Sequence, residues 1–185
     1  MELKEKHCWA EIDVDAIKSN FELIRYTMEK PFYTVVKADA YGAGALEVGR
    51  TLQECGTDYL AVAVADEGVE LRKEGITTGI IVMNPEPNSF RALFSNKLEP
   101  EVYSFTMLNA LIKAACNEGI TDYPVHIKID TGMHRLGFLP QEIPAVIEIL
   151  KNQCAIMPRS VFSHFVGSDS TLFDAFSKTQ IERFE

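Results

Sequence analysis

The sequence predicts an α/β fold: an incomplete TIM-type (β/α) barrel of about six parallel strands with crossover helices. Strand-length apolar segments alternate with helical segments six times after a leading helix. Short apolar strands joined by helices are typical of parallel sheets covered by helices. The first strand is followed by KADAYGAG, which has no GxGxxG, although a doubly wound sheet normally carries that pattern there. A barrel is therefore favoured, and the doubly wound open sheet is the alternative.

The first half of the chain supplies the leading helix and three strand-helix pairs. Apolar residues at helical spacing, from Ile17 to Met28, predict the leading helix over 15–30, with Asp15 near its start. PFYTVVKA predicts the first strand, over 31–38. The following elements are a helix over 45–56, a strand over 59–65, a helix over 66–75, a strand over 79–84 and a helix over 87–97.

The second half continues the alternation. LEPEVYS, residues 98–104, is the weakest of the strand predictions, and a helix over 105–119 follows it. VHIKID and SVFSHFV predict strands over 125–130 and 160–166, separated by a helix over 140–153. A last helix is predicted over 171–185. A closed barrel of this type has eight strands, so we expect residues 1–185 to be the N-terminal, truncated portion of a larger protein.

Composition limits the kinds of binding partner and the cellular compartment that we expect for this protein. The formal net charge is −9, which argues against nucleic acid or an anionic membrane surface as a partner. No run reaches the about 20 apolar residues of a membrane span, and the N-terminus has no apolar signal core. The four cysteines are scattered without a CxxC pair, which predicts small buried side chains in a reducing compartment and no metal site. We therefore expect a cytoplasmic protein.

Strand alternation brings polar side chains into the barrel. In VHIKID the apolar residues share one face and should meet the helices, so His126 and Lys128 should point inward. Lys37 and His164 are expected on the inward faces of their own strands. Polar residues near carboxyl strand ends gather where barrel active sites are built.

A lysine in such a place has a characteristic chemistry. Burial disfavours the ammonium form, and the neutral amine is a nucleophile that condenses with an aldehyde. The alternatives are that Lys37 extends its amine into water, that Lys128 is an ordinary ion-pair partner, and that His164 is a hydrogen-bonded core histidine. Arg135 lies in the loop DTGMHRLGF and has the geometry to bind a carboxylate or phosphate. An exposed surface turn is the alternative there.

Four segments, in this order, resemble the bacterial alanine racemases: WAEIDVDAIKSN, VVKADAYGAG, HIKIDTGMHRLGF and SHFVGSD. The likeness extends from Trp9 into the final helix. It implies a pyridoxal 5'-phosphate-binding barrel of fold type III, and an enzyme that interconverts L-alanine and D-alanine for peptidoglycan precursors. It also implies a homodimer with a C-terminal β domain, absent from residues 1–185, and some members are fused to a cell-wall ligase.

The resemblance also implies roles for five residues. Lys37 resembles the lysine that holds the cofactor covalently and acts as a base at the substrate α-carbon. Tyr41 resembles the tyrosine at the cofactor phosphate, and His164 the histidine packed against the pyridine ring. Arg135 resembles the arginine near the cofactor phenolic oxygen and the substrate carboxylate. Lys128 resembles a lysine that is carbamylated (N6-carboxylysine) in many members and orients that arginine.

The second catalytic base of this family is a tyrosine in the C-terminal domain, so we expect residues 1–185 alone to be inactive. Two positions depart from the family pattern: Asp39 stands where many members have asparagine, and His134 where many have glycine. The competing functions are a serine or broad-range racemase, a decarboxylase of basic amino acids, a non-catalytic pyridoxal-phosphate-binding barrel protein, and a structural domain without cofactor.

Overall fold

The structure, a computed structural model, describes residues 9–185. Its six strands form one parallel sheet in which neighbours along the chain are neighbours in space, in the order β1-β2-β3-β4-β5-β6. They are β1 Tyr33–Val35, β2 Tyr59–Val62, β3 Gly79–Val82, β4 Glu99–Val102, β5 Tyr123–Lys128 and β6 Ile156–Phe162. A doubly wound sheet reverses its strand order at a switch point. The sequential order confirms the incomplete barrel.

The sheet curls so that its two outer strands approach each other. The rings of Tyr33 on β1 and Phe162 on β6 meet edge to face across the interior, with centroids 6.2 Å apart. Towards the helices the strands present buried apolar residues such as Leu60, Ile80 and Ile127, which form the main core with the helices. The opposite face carries polar residues into the barrel, as the alternation in VHIKID predicts.

Besides a short left-handed segment at Lys37–Tyr41 and three short 3-10 helices, seven right-handed α-helices accompany the strands in the described part of the chain, one before β1 and one after each strand. They are α1 Val14–Met28, α2 Ala45–Glu54, α3 Ala65–Lys73, α4 Phe90–Asn96, α5 Phe105–Asn117, α6 Ile143–Lys151 and α7 Asp174–Phe184. Asp13 caps α1, because its carboxylate accepts a hydrogen bond from the amide of Ala16 at 2.9 Å. Within residues 9–185, no helix has both the length and the apolar character needed to cross a membrane.

Some strand bounds and the predicted burial of the cysteines need correction. The last strand begins at Ile156, four residues before the predicted start at Ser160, and contains Pro158. Proline is tolerated there because β6 is an edge strand of the described sheet and need not donate every ladder hydrogen bond. The cysteines are not buried as predicted: Cys55 is half-buried, and Cys116 and Cys154 are exposed. Cys8 lies outside the described residues.

The connection after β1 is a left-handed turn. Ala38, Asp39, Ala40 and Tyr41 have φ values of 51°, 54°, 51° and 57°. This conformation costs a residue with a side chain about 1–2 kcal/mol, because Cβ approaches the following carbonyl oxygen. The turn ends at Gly42, and Gly44 precedes α2, with φ values of 89° and 92°. The strand consequently stops at Val35, three residues earlier than predicted.

Glu67 of α3 connects this turn to the next strand. Its Oε1 accepts a hydrogen bond from the amide of Ala38 at 2.8 Å, and its Oε2 accepts one from the amide of Ala63 at 2.6 Å. One carboxylate thus joins the backbone after β1 to the backbone after β2. Charged acceptors make strong hydrogen bonds to amides, so Glu67 offsets part of the cost of the left-handed backbone.

Replacing Glu67 by glutamine tests this connection. A carboxamide has one acceptor oxygen, so its NH₂ group would face an amide N–H. We expect Glu67→Gln to lower the free energy of unfolding by about 1–3 kcal/mol, measured by urea unfolding of the native protein. Glu70→Gln is the matched control, because Glu70 lies exposed on the same helix, and it should change stability by no more than about 0.5 kcal/mol. Equal effects of the two substitutions would contradict the role given to Glu67.

Candidate active site

The predicted site residues lie at the carboxyl ends of β1, β5 and β6. Lys37 follows β1 by two residues and is half-buried, while Lys128 is the last residue of β5 and is buried. His164 comes two residues after β6, and Arg135 lies in the loop after β5; both are exposed. Tyr41 closes the left-handed turn and is 69% exposed. These strand ends form the edge of the barrel where active sites are built.

Electrostatics show which of these side chains share a neighbourhood. Partial burial of its ring lowers the pKa of His164, and the positive charges of Arg135, Lys128 and Lys37 lower that pKa further. All three cations therefore lie within electrostatic reach of the imidazole, which favours the neutral ring at pH 7. Among the described residues, Tyr41 forms no hydrogen bond with Lys37, Lys128, Arg135 or His164. The sequence analysis predicted no carboxylate among these cationic side chains.

The structure adds that carboxylate. Glu101 of β4 is 0% exposed, and its Oε1 lies 3.2 Å from Nζ of Lys128. Burial raises the pKa of Glu101, while the charges of Lys128, Arg135 and Lys37 act to lower it. The alternation in LEPEVYS was the available signal: Glu99 and Glu101 share one face, as His126 and Lys128 do.

A second cluster of polar side chains lies in the barrel interior, further from the carboxyl ends of the strands than this site. His126 donates or accepts at both ring nitrogens, with Nδ1 2.7 Å from the hydroxyl of Ser160 and Nε2 3.0 Å from Oε2 of Glu99. The hydroxyl of Tyr59 lies 3.3 Å from the same Glu99 oxygen. Buried polar groups are tolerated when each is hydrogen-bonded, so this group is a satisfied layer of the interior.

Asp130 shapes the loop that carries Arg135. Its Oδ1 accepts hydrogen bonds from the amides of Gly132 at 2.9 Å and His134 at 3.0 Å, and its Oδ2 lies 3.0 Å from Nδ1 of His134. Burial alone would raise the pKa of Asp130, but these hydrogen bonds bring it below its ordinary value. The loop is therefore held by an ionised carboxylate at its base.

The far end of the loop returns to β5. The amide of Phe138 donates to the carbonyl oxygen of Lys128, and the amide of Asp130 donates to the carbonyl oxygen of Phe138, both at 2.9 Å. Gly137 permits this close return: its φ is +124°, and an added Cβ would lie 2.6 Å from the backbone nitrogen of Asp130. The guanidinium of Arg135 thus extends from a loop whose two ends are fixed.

Gln180 of α7 joins the loops after β5 and β6. It is 1% exposed, and its side-chain amide donates to the hydroxyl of Thr131 and to the carbonyl oxygen of His164, each at 3.0 Å. Its oxygen accepts from the amide of Val166 at 3.1 Å. Nothing in the sequence distinguished this glutamine from other polar residues of an amphipathic helix.

Asp39 and His134, the two positions that depart from the family pattern, both have a left-handed backbone conformation. Asp39 and His134 have φ values of 54° and 55°, and asparagine and glycine are the residues that most readily adopt such values. Asp39 is held because its Oδ1 accepts a hydrogen bond from the amide of Ala45 at 2.7 Å. His134 is held by its contact with Asp130.

Metal-ligating side chains do not gather in this site. Within the described residues, no three His, Cys, Asp or Glu side chains come together as a candidate metal centre. The groups that do gather are two amines, a guanidinium, an imidazole and the one carboxylate of Glu101, and their excess of positive charge suits an anionic organic ligand.

Known proteins match almost the whole chain. The family model described as alanine racemase, N-terminal domain, matches residues 12–185. Alanine racemase 1 of Clostridium acetobutylicum is 41% identical over 181 residues, covering 96% of this chain and 46% of that protein. The solved alanine racemase of Clostridium difficile 630 is 35% identical, with a TM-score of 0.87 over 95% of this chain and 47% of that one. The solved Bacillus anthracis alanine racemase with bound L-Ala-P is 28% identical, with a TM-score of 0.87, over 99% of this chain and 48% of that one.

The chain thus spans about half the length of the relatives it matches. These matches agree with the order of the strands and with the polar residues at their carboxyl ends. The chain belongs to the alanine racemase N-terminal domain family.

Proposed function

We propose that the native protein containing this chain interconverts L-alanine and D-alanine, with pyridoxal 5'-phosphate as cofactor, and supplies D-alanine for peptidoglycan precursors. One observation supports the proposal: the charges of Arg135, Lys128 and Lys37 act on the imidazole of His164 and lower its pKa, so four of the five side chains with roles implied by the resemblance are within electrostatic reach at one rim of the barrel. Homodimer formation and a cytoplasmic location stay predictions from the resemblance.

The residues present fit the cofactor. Pyridoxal phosphate is an aldehyde that carries an anionic phosphate, and the site offers a half-buried amine at Lys37 beside other cationic groups. The backbone of the turn adds little, because the amides of Gly42, Ala43 and Gly44 already donate to carbonyl oxygens within the turn. The exposed hydroxyl of Tyr41 is thus the donor that the turn offers to a phosphate.

Each residue then has a distinct task. Lys37 would hold the cofactor covalently, and its Nζ, once released from that bond, would remove or return the α-proton on one face of alanine. Arg135 would bind the substrate carboxylate and the cofactor phenolic oxygen, Tyr41 would bind the phosphate, and the ring of His164 would pack against the pyridine. When bound, the cofactor supplies an electron-withdrawing system that makes the α-proton removable.

We propose that further strands and a C-terminal β domain complete this site. The strand β6 leaves Met157 40% exposed and Val161 53% exposed, and the neighbouring helix α7 leaves Ile181 44% and Phe184 45% exposed. Apolar side chains on adjacent elements, beside a free sheet edge, are typical of a surface that another element covers. A second base on the opposite face of the substrate would come from that missing part.

Activity of the native protein tests the proposed function. We expect it to form D-alanine from L-alanine, and Lys37→Ala to lower the rate roughly 100- to 10,000-fold, which is the usual contribution of a positioned base. Lys113→Ala, at an exposed position on α5, is the control and should keep the rate. A faster turnover of L-serine than of L-alanine would favour the serine racemase instead, and D-alanine formation unaffected by Lys37→Ala would contradict the role of this lysine.

A polypeptide of residues 1–185 alone should not racemise alanine, because it would lack the base for the second face. The measurement is D-alanine formation by this polypeptide in the presence of pyridoxal phosphate, with the native protein as positive control. Turnover by residues 1–185 alone would show that both bases lie within them.

The protonation of His164 is a further prediction. Because its folded-state pKa is lowered, its contribution to stability is present above the ordinary histidine pKa and is lost as pH falls through the folded-state value. An NMR titration of the ring should give a midpoint below about 6.5, with the signal assigned by its loss in His164→Gln. Arg135→Gln should raise the midpoint, whereas Arg159→Gln, an exposed control on β6, should not. A midpoint above that of a model peptide would contradict the cationic surroundings.

A further inference from the structure

The barrel interior contains a buried ion pair that reaches across two strands. Glu101 of β4 has a side chain that is 0% exposed, and that of Lys128 on β5 is 5% exposed. Their charged atoms, Oε1 and Nζ, lie 3.2 Å apart. Among the described residues, no hydrogen-bond donor other than Lys128 is within reach of either oxygen of Glu101. Lys128 is therefore the near counter-ion of a carboxylate that has no other satisfied interaction there.

The ammonium of Lys128 has a second partner that favours its charge. Its Nζ lies 5.2 Å from the ring centroid of Phe162 on β6. An aromatic face attracts a cation, and more strongly where water is excluded. The ammonium of Lys128 therefore has a carboxylate on one side and a ring face on another.

Carbamylation requires the opposite state. A bond forms between a neutral Nζ and the carbon of CO₂, one amine proton is lost to solvent, and the product carries a negative charge. That product would lie beside the carboxylate of Glu101, and two anions sharing one buried site repel each other strongly. The pair with Glu101 therefore opposes the reaction both before and after the bond forms.

We propose that Glu101 is a positioning residue that keeps Lys128 as a free ammonium, so that Lys128 is not carbamylated in this protein and Glu101 supplies the negative charge of the site. The first statement concerns only the chemical state of Lys128. The second, that Glu101 takes the orienting role of a carbamate toward Arg135, rests on the proposed function.

The surrounding charges agree with this assignment. Burial raises the pKa of Glu101, and Lys128, then Arg135 and Lys37, act to lower it. Three cations thus act on one carboxylate. Removing the charge of Glu101 leaves those cations without this counter-ion, and a carbamate on Lys128 would then restore a negative charge.

The state of Lys128 is measured directly by ¹³C NMR of the native protein equilibrated with ¹³C-labelled bicarbonate. We expect no carbamate signal from Lys128 in the wild-type protein and a carbamate signal in Glu101→Gln. The signal is assigned to Lys128 by its loss in the double variant Glu101→Gln/Lys128→Arg. Glu99→Gln is the matched control on the same strand face, because Glu99 contacts His126 and not Lys128, and it should show no signal.

Two results would overturn the proposal. A carbamate signal in the wild-type protein that disappears in Lys128→Arg would show that Glu101 does not keep the amine free. Absence of the signal from both the wild type and a folded Glu101→Gln would show that Glu101 is not what prevents carbamylation. The comparison of the wild type with Lys128→Arg does not involve Glu101→Gln, so it decides the first point even if Glu101→Gln does not fold.

Activity separates this inference from the proposed function. With the carbamate formed, Glu101→Gln should gain racemase rate as bicarbonate is added, whereas the wild type should be insensitive to it. If the native protein proves not to be a racemase, the NMR result on Lys128 still stands by itself.

Discussion

The left-handed turn at residues 38–41 is the constraint on which the site depends. A right-handed helix beginning at the end of β1 would carry the residues after Lys37 along a different path. The turn is unfavourable for residues with side chains, and it persists because its neighbours hold it. Glu67 binds the amide of Ala38, and Asp39 binds the amide that begins α2. Backbone strain of this kind is characteristic of functional sites, where the surrounding structure maintains it.

The second constraint on the site is electrostatic repulsion among its cationic side chains. Lys37, Lys128 and Arg135 all approach one rim of the barrel, and their mutual repulsion opposes folding unless negative charge is present. Glu101, buried in the interior beside Lys128, supplies such a charge. A cofactor phosphate and a substrate carboxylate would add further negative charge when they bind. Local excess of positive charge is therefore consistent with a site for an anionic ligand, although the protein as a whole carries a net charge of −9.

Part of this could be predicted from the sequence because strand alternation is a strong local signal. VHIKID places Lys128 inward by its pattern alone, and the repeated strand-helix alternation indicates a barrel. The left-handed turn could not be predicted, since Ala38, Asp39 and Ala40 have no local preference for it and are held by Glu67 from another helix. Gln180 could not be predicted either, because its role comes from hydrogen bonds to Thr131 and His164, which are distant from it in the sequence. The same alternation places Glu101 inward, but LEPEVYS, which contains Pro100, is the weakest of the strand predictions, so this signal is faint.

We infer that the left-handed turn directs the amine of Lys37, and not that of Lys128, to an aldehyde at the barrel rim. Borohydride reduction of the native protein with bound pyridoxal phosphate, followed by peptide mass mapping, tests it most directly. We expect a single pyridoxyl adduct, on Lys37. An adduct on Lys128, or label spread over surface lysines with none on Lys37, would contradict it.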